Sequence, residues 1–123
     1  MNNNQIEVMK YILDLLTTMD EGLAYIQKKD KEANFEAGVS VLVDFSSGIG
    51  SIENAIYPML KDLNRNQIQF KMDETKKALA ILLNEFKINR YEKVIEIMEF
   101  QLKPSFTEWK QELENILQPY TLS

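Results

Sequence analysis

The chain has 123 residues, 45% of them hydrophobic and 27% charged, the balance of one folded domain and not of a disordered chain. Cysteine and histidine are both absent, which removes disulfides, thiol nucleophiles, the usual zinc, haem and copper ligands and the usual general base near neutral pH. A net charge of −5, from 14 basic and 19 acidic side chains, opposes a phosphate backbone, so nucleic acid is not an expected partner.

Only four Gly and three Pro interrupt the length, too few for the turns of a sandwich or barrel, so the expected class is all-α. The start, Met1-Asn2-Asn3-Asn4-Gln5, is polar and uncharged where a secretory leader is basic. No stretch approaches the roughly 18 uninterrupted apolar residues of a membrane span, and the expectation is a cytoplasmic protein with no membrane role.

The spacing predicts a first helix from about Gln5 to Lys28, with Asn4 as N-cap and Glu7 three residues on. Ile6, Met9, Leu13, Leu16 and Leu23 recur at helical steps, and Ile12, Leu15, Met19 and Ile26 widen the stripe enough for neighbours on two sides. Lys28, Lys29 and Lys31, the basic cluster, suit the negative end of that helix.

A second helix is predicted from about Lys31 to Leu63 on the series Phe35, Gly38, Leu42, Phe45, Ile49, Ile52, Ile56, Met59 and Leu63. Nearly opposite runs a second series, Ala37, Val41, Asp44, Gly48, Ser51 and Ala55. Small residues let helix backbones approach, so this face is a candidate for docking a partner or a second copy. The competing reading is that Ser46-Ser47-Gly48-Ile49-Gly50-Ser51 marks a break or kink. A phosphate-cradling loop is not supported, because no Gly-Lys-Ser/Thr follows.

Asn64-Arg65-Asn66 reads as a connection, with Asn66 and Gln69 as a cap and box. The third helix carries Ile68, Met72, Thr75, Leu79, Leu82 and Phe86, and ends at Ile88 and Asn89. Asn89 with Glu92 opens a fourth, marked by Tyr91, Ile95, Met98, Leu102, Phe106, Trp109, Leu113, Ile116 and Tyr120. Two consecutive four-residue steps around Pro104 predict a kink there, and Pro119 is the expected end. Phe100, Phe106, Trp109 and Tyr120 are a candidate aromatic groove, against the plainer reading that they are core.

Short connections between four long amphipathic helices predict a single domain over 1–123, an up-down-up-down antiparallel four-helix bundle. Three longer helices completed by a dimer are the alternative.

Residues 90–109, Arg90-Tyr91-Glu92-Lys93-Val94 through Leu102-Lys103-Pro104-Ser105-Phe106-Thr107-Glu108-Trp109, resemble a pattern in small uncharacterised helical proteins of Gram-positive bacteria. Those have an aspartate-tyrosine opening, a leucine-rich helix, a leucine-proline step and a nearby tryptophan. Here Asn89-Arg90-Tyr91 replaces the opening and Lys103 stands where an apolar residue is usual. The resemblance implies a bacterial cytoplasmic helical protein and carries no catalytic residue across.

The expected function is a non-enzymatic helical interaction protein, adaptor or chaperone-like, binding a protein partner or itself as a homodimer, with no cofactor. The alternative is a small-molecule or cation-binding bundle whose carboxylates are Asp14, Asp20, Asp44 and Glu53. An acidic, antitoxin-like inhibitor of a basic protein also fits the charge. Asp20, between Leu16 and Leu23, reads most simply as a register-fixing carboxylate paired with a hydroxyl or a cation.

Overall fold

The computed structural model describes residues 1–63 and 66–122, which hold four helices and no strand. Helix α1 spans Asn3–Lys31. Its capping box is built two residues earlier than the spacing suggests: the Asn2 side chain accepts from the Gln5 N–H at 2.8 Å, and the Gln5 side chain accepts from the Asn2 N–H at 3.0 Å. The first amides are then satisfied by Asn2, and Asn4 stands inside the helix.

At the other end Ala33 takes a left-handed conformation, φ 58°. There the Asn34 N–H reaches Lys29 O at 2.8 Å and the Ala33 N–H reaches Asp30 O at 3.0 Å. These are the two bonds of a Schellman stop. Asn34 caps the next helix through Ala37 N. The second helix, α2, therefore spans Phe35–Ile56 and begins later than the expected Lys31.

It runs without interruption through Gly48 and Gly50, so the break expected at Ser46–Ser51 is not there. It ends short of Leu63 because Pro58 has no N–H to donate backward, and the chain tightens into a 3-10 segment, Tyr57–Asp62. Of the predicted connection, Asn64 and Arg65 lie outside the described residues.

Helix α3 spans Ile68–Lys87. Asn66 accepts from Ile68 N at 2.9 Å, while Gln69 turns away to donate to Asp73, so the expected box with Asn66 is not made. The stop at Asn89, φ 61°, repeats the one at Ala33, with Arg90 N bonded to Glu85 O and Asn89 N to Phe86 O.

The last helix is assembled from α4 (Tyr91–Ile97), a π turn (Met98–Leu102) and α5 (Lys103–Thr121), with right-handed helical dihedrals at every junction. The π turn gives the two consecutive four-residue steps their physical meaning. A wider turn advances more residues per revolution, so Met98, Leu102 and Phe106 all stay on the core side, at 1%, 0% and 0% exposure. Pro104 falls in the first turn after it, and Pro119 lies inside α5, which continues to Thr121.

Helix α1 packs along α2 and against α5, and α3 packs on α4 and α5. The core is one cluster with contributions from every helix. Phe45 of α2 meets Phe106 edge-on at 5.1 Å, and Phe106 meets Trp109 at 6.2 Å, geometries that aromatic quadrupoles favour. No helix of the described residues is long and apolar enough to cross a membrane.

Candidate functional site

The side chains left over from this packing gather between α2 and α3. Val39, Val43, Ser47, Phe86 and Lys87 line a cavity of about 390 Å³, together with Ser46 and Leu83, which it shares with its neighbour. A second cavity of about 250 Å³ continues the depression past Ile49, Gly50 and Ala80 to Glu53 and Lys76. Together they form a groove. Val39 and Glu53, which bound it along α2, are separated by roughly 21 Å at about 1.5 Å per residue.

The groove stays open because its walls carry small residues at the crossing. A Cβ placed on Gly50 would meet nothing within 4 Å. Buried Leu42, Ile49 and Leu79 form its floor, while Val43 remains 58% and Leu83 42% exposed. At one end an aromatic cluster closes it: Phe35 stacks on Tyr91 at 4.4 Å and meets Phe86 edge-on at 6.4 Å. At the other, Lys76 Nζ and Glu53 Oε2 bridge the helices at 3.0 Å.

This is a different flank of α2 from the small-residue face. Ala37, Val41, Ser51 and Ala55 are half-buried, Gly48 is buried and Asp44 is exposed. That face meets α1 of the same chain. A Cβ on Gly48 would lie 2.7 Å from Met19 Sδ, and one on Gly22 would lie 3.2 Å from Val41 Cγ1. The small residues serve close packing inside the molecule and are not free to receive a partner along most of their length.

Nor do the four aromatic residues of the last helix share a groove. Phe106 and Trp109 are wholly buried, Tyr120 is half-buried against the core, and Phe100 is 70% exposed. Phe100 belongs to the opposite side of the helix. There it joins Ile81 and Pro104 in a separate shallow depression of about 290 Å³ flanked by Glu74 and Lys77.

The predicted carboxylates are also dispersed. Asp20 pairs with Lys103 of α5 and Glu53 with Lys76, while Asp14 and Asp44 are exposed. Among the described residues no group of three or more acidic side chains is placed to share a cation. The Lys103 that departs from the resembled pattern is thus the partner of the Asp20 that interrupts the apolar stripe of α1.

The carboxylate that does stand out is Asp30, in the last turn of α1. It is 3% exposed, and neither carboxylate oxygen has a hydrogen-bond partner. Burial pushes its pKa up to about 6. It lines a water-sized void with Gln27, Lys31, Ile95, Met98 and Glu99. The Asp lies in a charged run, Lys28-Lys29-Asp30-Lys31-Glu32, and its surroundings gave it no distinguishing mark. The groove residues had a weak signal: Val39, Val43, Ser46 and Gly50 repeat at helical steps, each one residue after a member of the large-apolar series.

A family model described as a domain of unknown function (DUF8042) matches residues 7–112, far more of the chain than the stretch 90–109. Searches of curated proteins and of solved structures find no match to the chain.

Proposed function

The chain belongs to the DUF8042 family of domains of unknown function, and from that premise we propose a non-enzymatic helical interaction protein that receives an apolar helix in its α2–α3 groove. The observation that carries this reading is the exposed apolar lining. Val39, Val43 and Leu83 remain in contact with solvent beside a floor that is already apolar. Helix-in-groove recognition uses such a trough and reads apolar anchors at three- and four-residue spacing. The missing histidine and cysteine favour surface over bond-making chemistry.

In this reading the helices form an up-down-up-down bundle, supported by three-residue stops at Glu32–Asn34 and Ile88–Arg90. A bend of the last helix belongs at the π turn before Pro104. A bacterial cytoplasmic setting is what the resemblance of residues 90–109 implies. The carboxylate-centred alternative needs two of Asp14, Asp20, Asp44 and Glu53 in one cavity, and their separate surroundings give it no support.

An environment-sensitive apolar dye such as bis-ANS, added to the chain at submicromolar concentration, tests the groove. Fluorescence should fall severalfold in Val43→Asp combined with Leu83→Asp while far-UV circular dichroism stays unchanged. Equal dye binding by both proteins defeats the reading.

A further inference from the structure

We propose that the groove's occupant is α2 of a second copy of the chain, laid antiparallel to the first about a two-fold axis that crosses between Ser46 and Ser47. The inference rests on the reading of the groove as a docking surface and adds the identity of what docks.

Shape supports the pairing first. A two-fold axis at that point exchanges position 43 with position 50. Val43, 58% exposed, is the most protruding apolar side chain on this flank of α2. Gly50 has open space above its Cα on the same flank. The knob of one copy therefore faces the notch of the other, twice, as an isologous interface requires. The two serines at the crossing are small enough to let the backbones draw together.

Charge supports it independently. From Ala33 to Leu60 the chain carries Glu36, Asp44 and Glu53 and no Lys or Arg, so an entering α2 brings only carboxylates. The charges that α3 contributes to the groove lining are Lys76 and Lys87. Lys87 makes no ion pair among the described residues. The axis exchanges position 53 with position 40, which brings the partner's Glu53 to the Val39 end of the groove, where Lys87 stands. Glu53, the α2 carboxylate that lines the groove and is held by Lys76 of its own chain, thus comes beside the partner's Lys87, and the carboxylates of the two α2 helices are not set opposite one another.

Sedimentation equilibrium over the micromolar range tests the pairing. The chain is expected to dimerise, with the association constant falling at least tenfold in Val43→Asp. Gly50→Leu, which fills the notch where the isolated chain has room, should have the same effect with helix content unchanged. Because the chain has no cysteine, Ser47→Cys should form an intermolecular disulfide under oxidation, and exposed Gln111→Cys should not. A strict monomer overturns the proposal, as does a dimer untouched by both Val43→Asp and Gly50→Leu. A monomer that still loses bis-ANS fluorescence in Val43→Asp combined with Leu83→Asp overturns self-pairing alone; a monomer that keeps it in that double variant overturns the groove reading as well.

Discussion

Met19 occupies the place where a side chain at Gly48 would stand: a Cβ on Gly48 would lie 2.7 Å from its Sδ and 3.0 Å from its Cγ. Met19 is 4% exposed, so the thioether is hemmed in by core and yields only by disturbing its neighbours. A single turn of α2 thus holds two glycines with opposite physical roles. Gly48 admits α1, and Gly50 opens onto the groove.

Gly48→Ala should accordingly lower stability by about 1–2 kcal/mol, the overpacking cost outweighing a gain in helix propensity of about 1 kcal/mol. Gly50→Ala meets no obstacle within the chain and, at submicromolar concentration where the chain is unpaired, should raise stability by up to about 1 kcal/mol. Urea unfolding midpoints of the two variants, measured side by side, check the opposite signs. Equal shifts would mean that Met19 does not restrain α2.

Asp30 makes stability depend on pH. Its pKa in the folded chain, about 6, lies above the ordinary carboxylate value, so the folded state holds the proton more tightly than the unfolded one. The contribution is fully present below the ordinary value, declines as pH rises toward 6 and is lost above it. The total is on the order of 2–3 kcal/mol. Asp30→Asn should therefore melt higher than the parent at pH 7.5 and show little advantage at pH 4. Parallel pH profiles for the two proteins would refute the assignment.

Asp20 and Lys103 join α1 to α5 across 39% and 31% exposed side chains, Asp20 being the more exposed. Pairs that are this accessible are screened, so Lys103→Ala should cost no more than about 1 kcal/mol, less in high salt. A double-mutant cycle with Asp20→Ala measures the coupling. A coupling of several kcal/mol would show that the pair is much better insulated than its exposure indicates.

Ala33 holds a left-handed conformation, φ 58°, which costs a residue with a Cβ roughly 1 kcal/mol or more. Glycine has no such penalty at a helix stop. Ala33→Gly should stabilise the chain by about 0.5–1 kcal/mol, read from thermal or urea unfolding. The same change at Asn89, φ 61°, should gain less, because asparagine already tolerates this region.

Much of the helix content was legible because apolar periodicity and capping residues act locally. Met9, Leu16, Leu23, Met72, Leu82 and Trp109 were placed on core stripes by spacing alone and are buried. Boundaries were less legible. Asn2 and Asn4 are chemically equivalent candidates for the first cap, and only the reciprocal bond to Gln5 separates them. The stop at Ala33 was hidden because alanine is a strong helix former, and its left-handed turn is held by bonds from Ala33 and Asn34 to the preceding turn.

The residues by themselves determined that this protein is helical, that it lacks histidine and cysteine chemistry, and that α2 has patterned faces on more than one side. Tertiary structure decided which flank of α2 is covered. Periodicity assigns a residue an angle around its own helix axis and says nothing of which neighbour will occupy that angle. The choice came from fit across the chain, Met19 against Gly48 and Val41 against Gly22, and that fit left Val39, Val43 and Leu83 facing solvent.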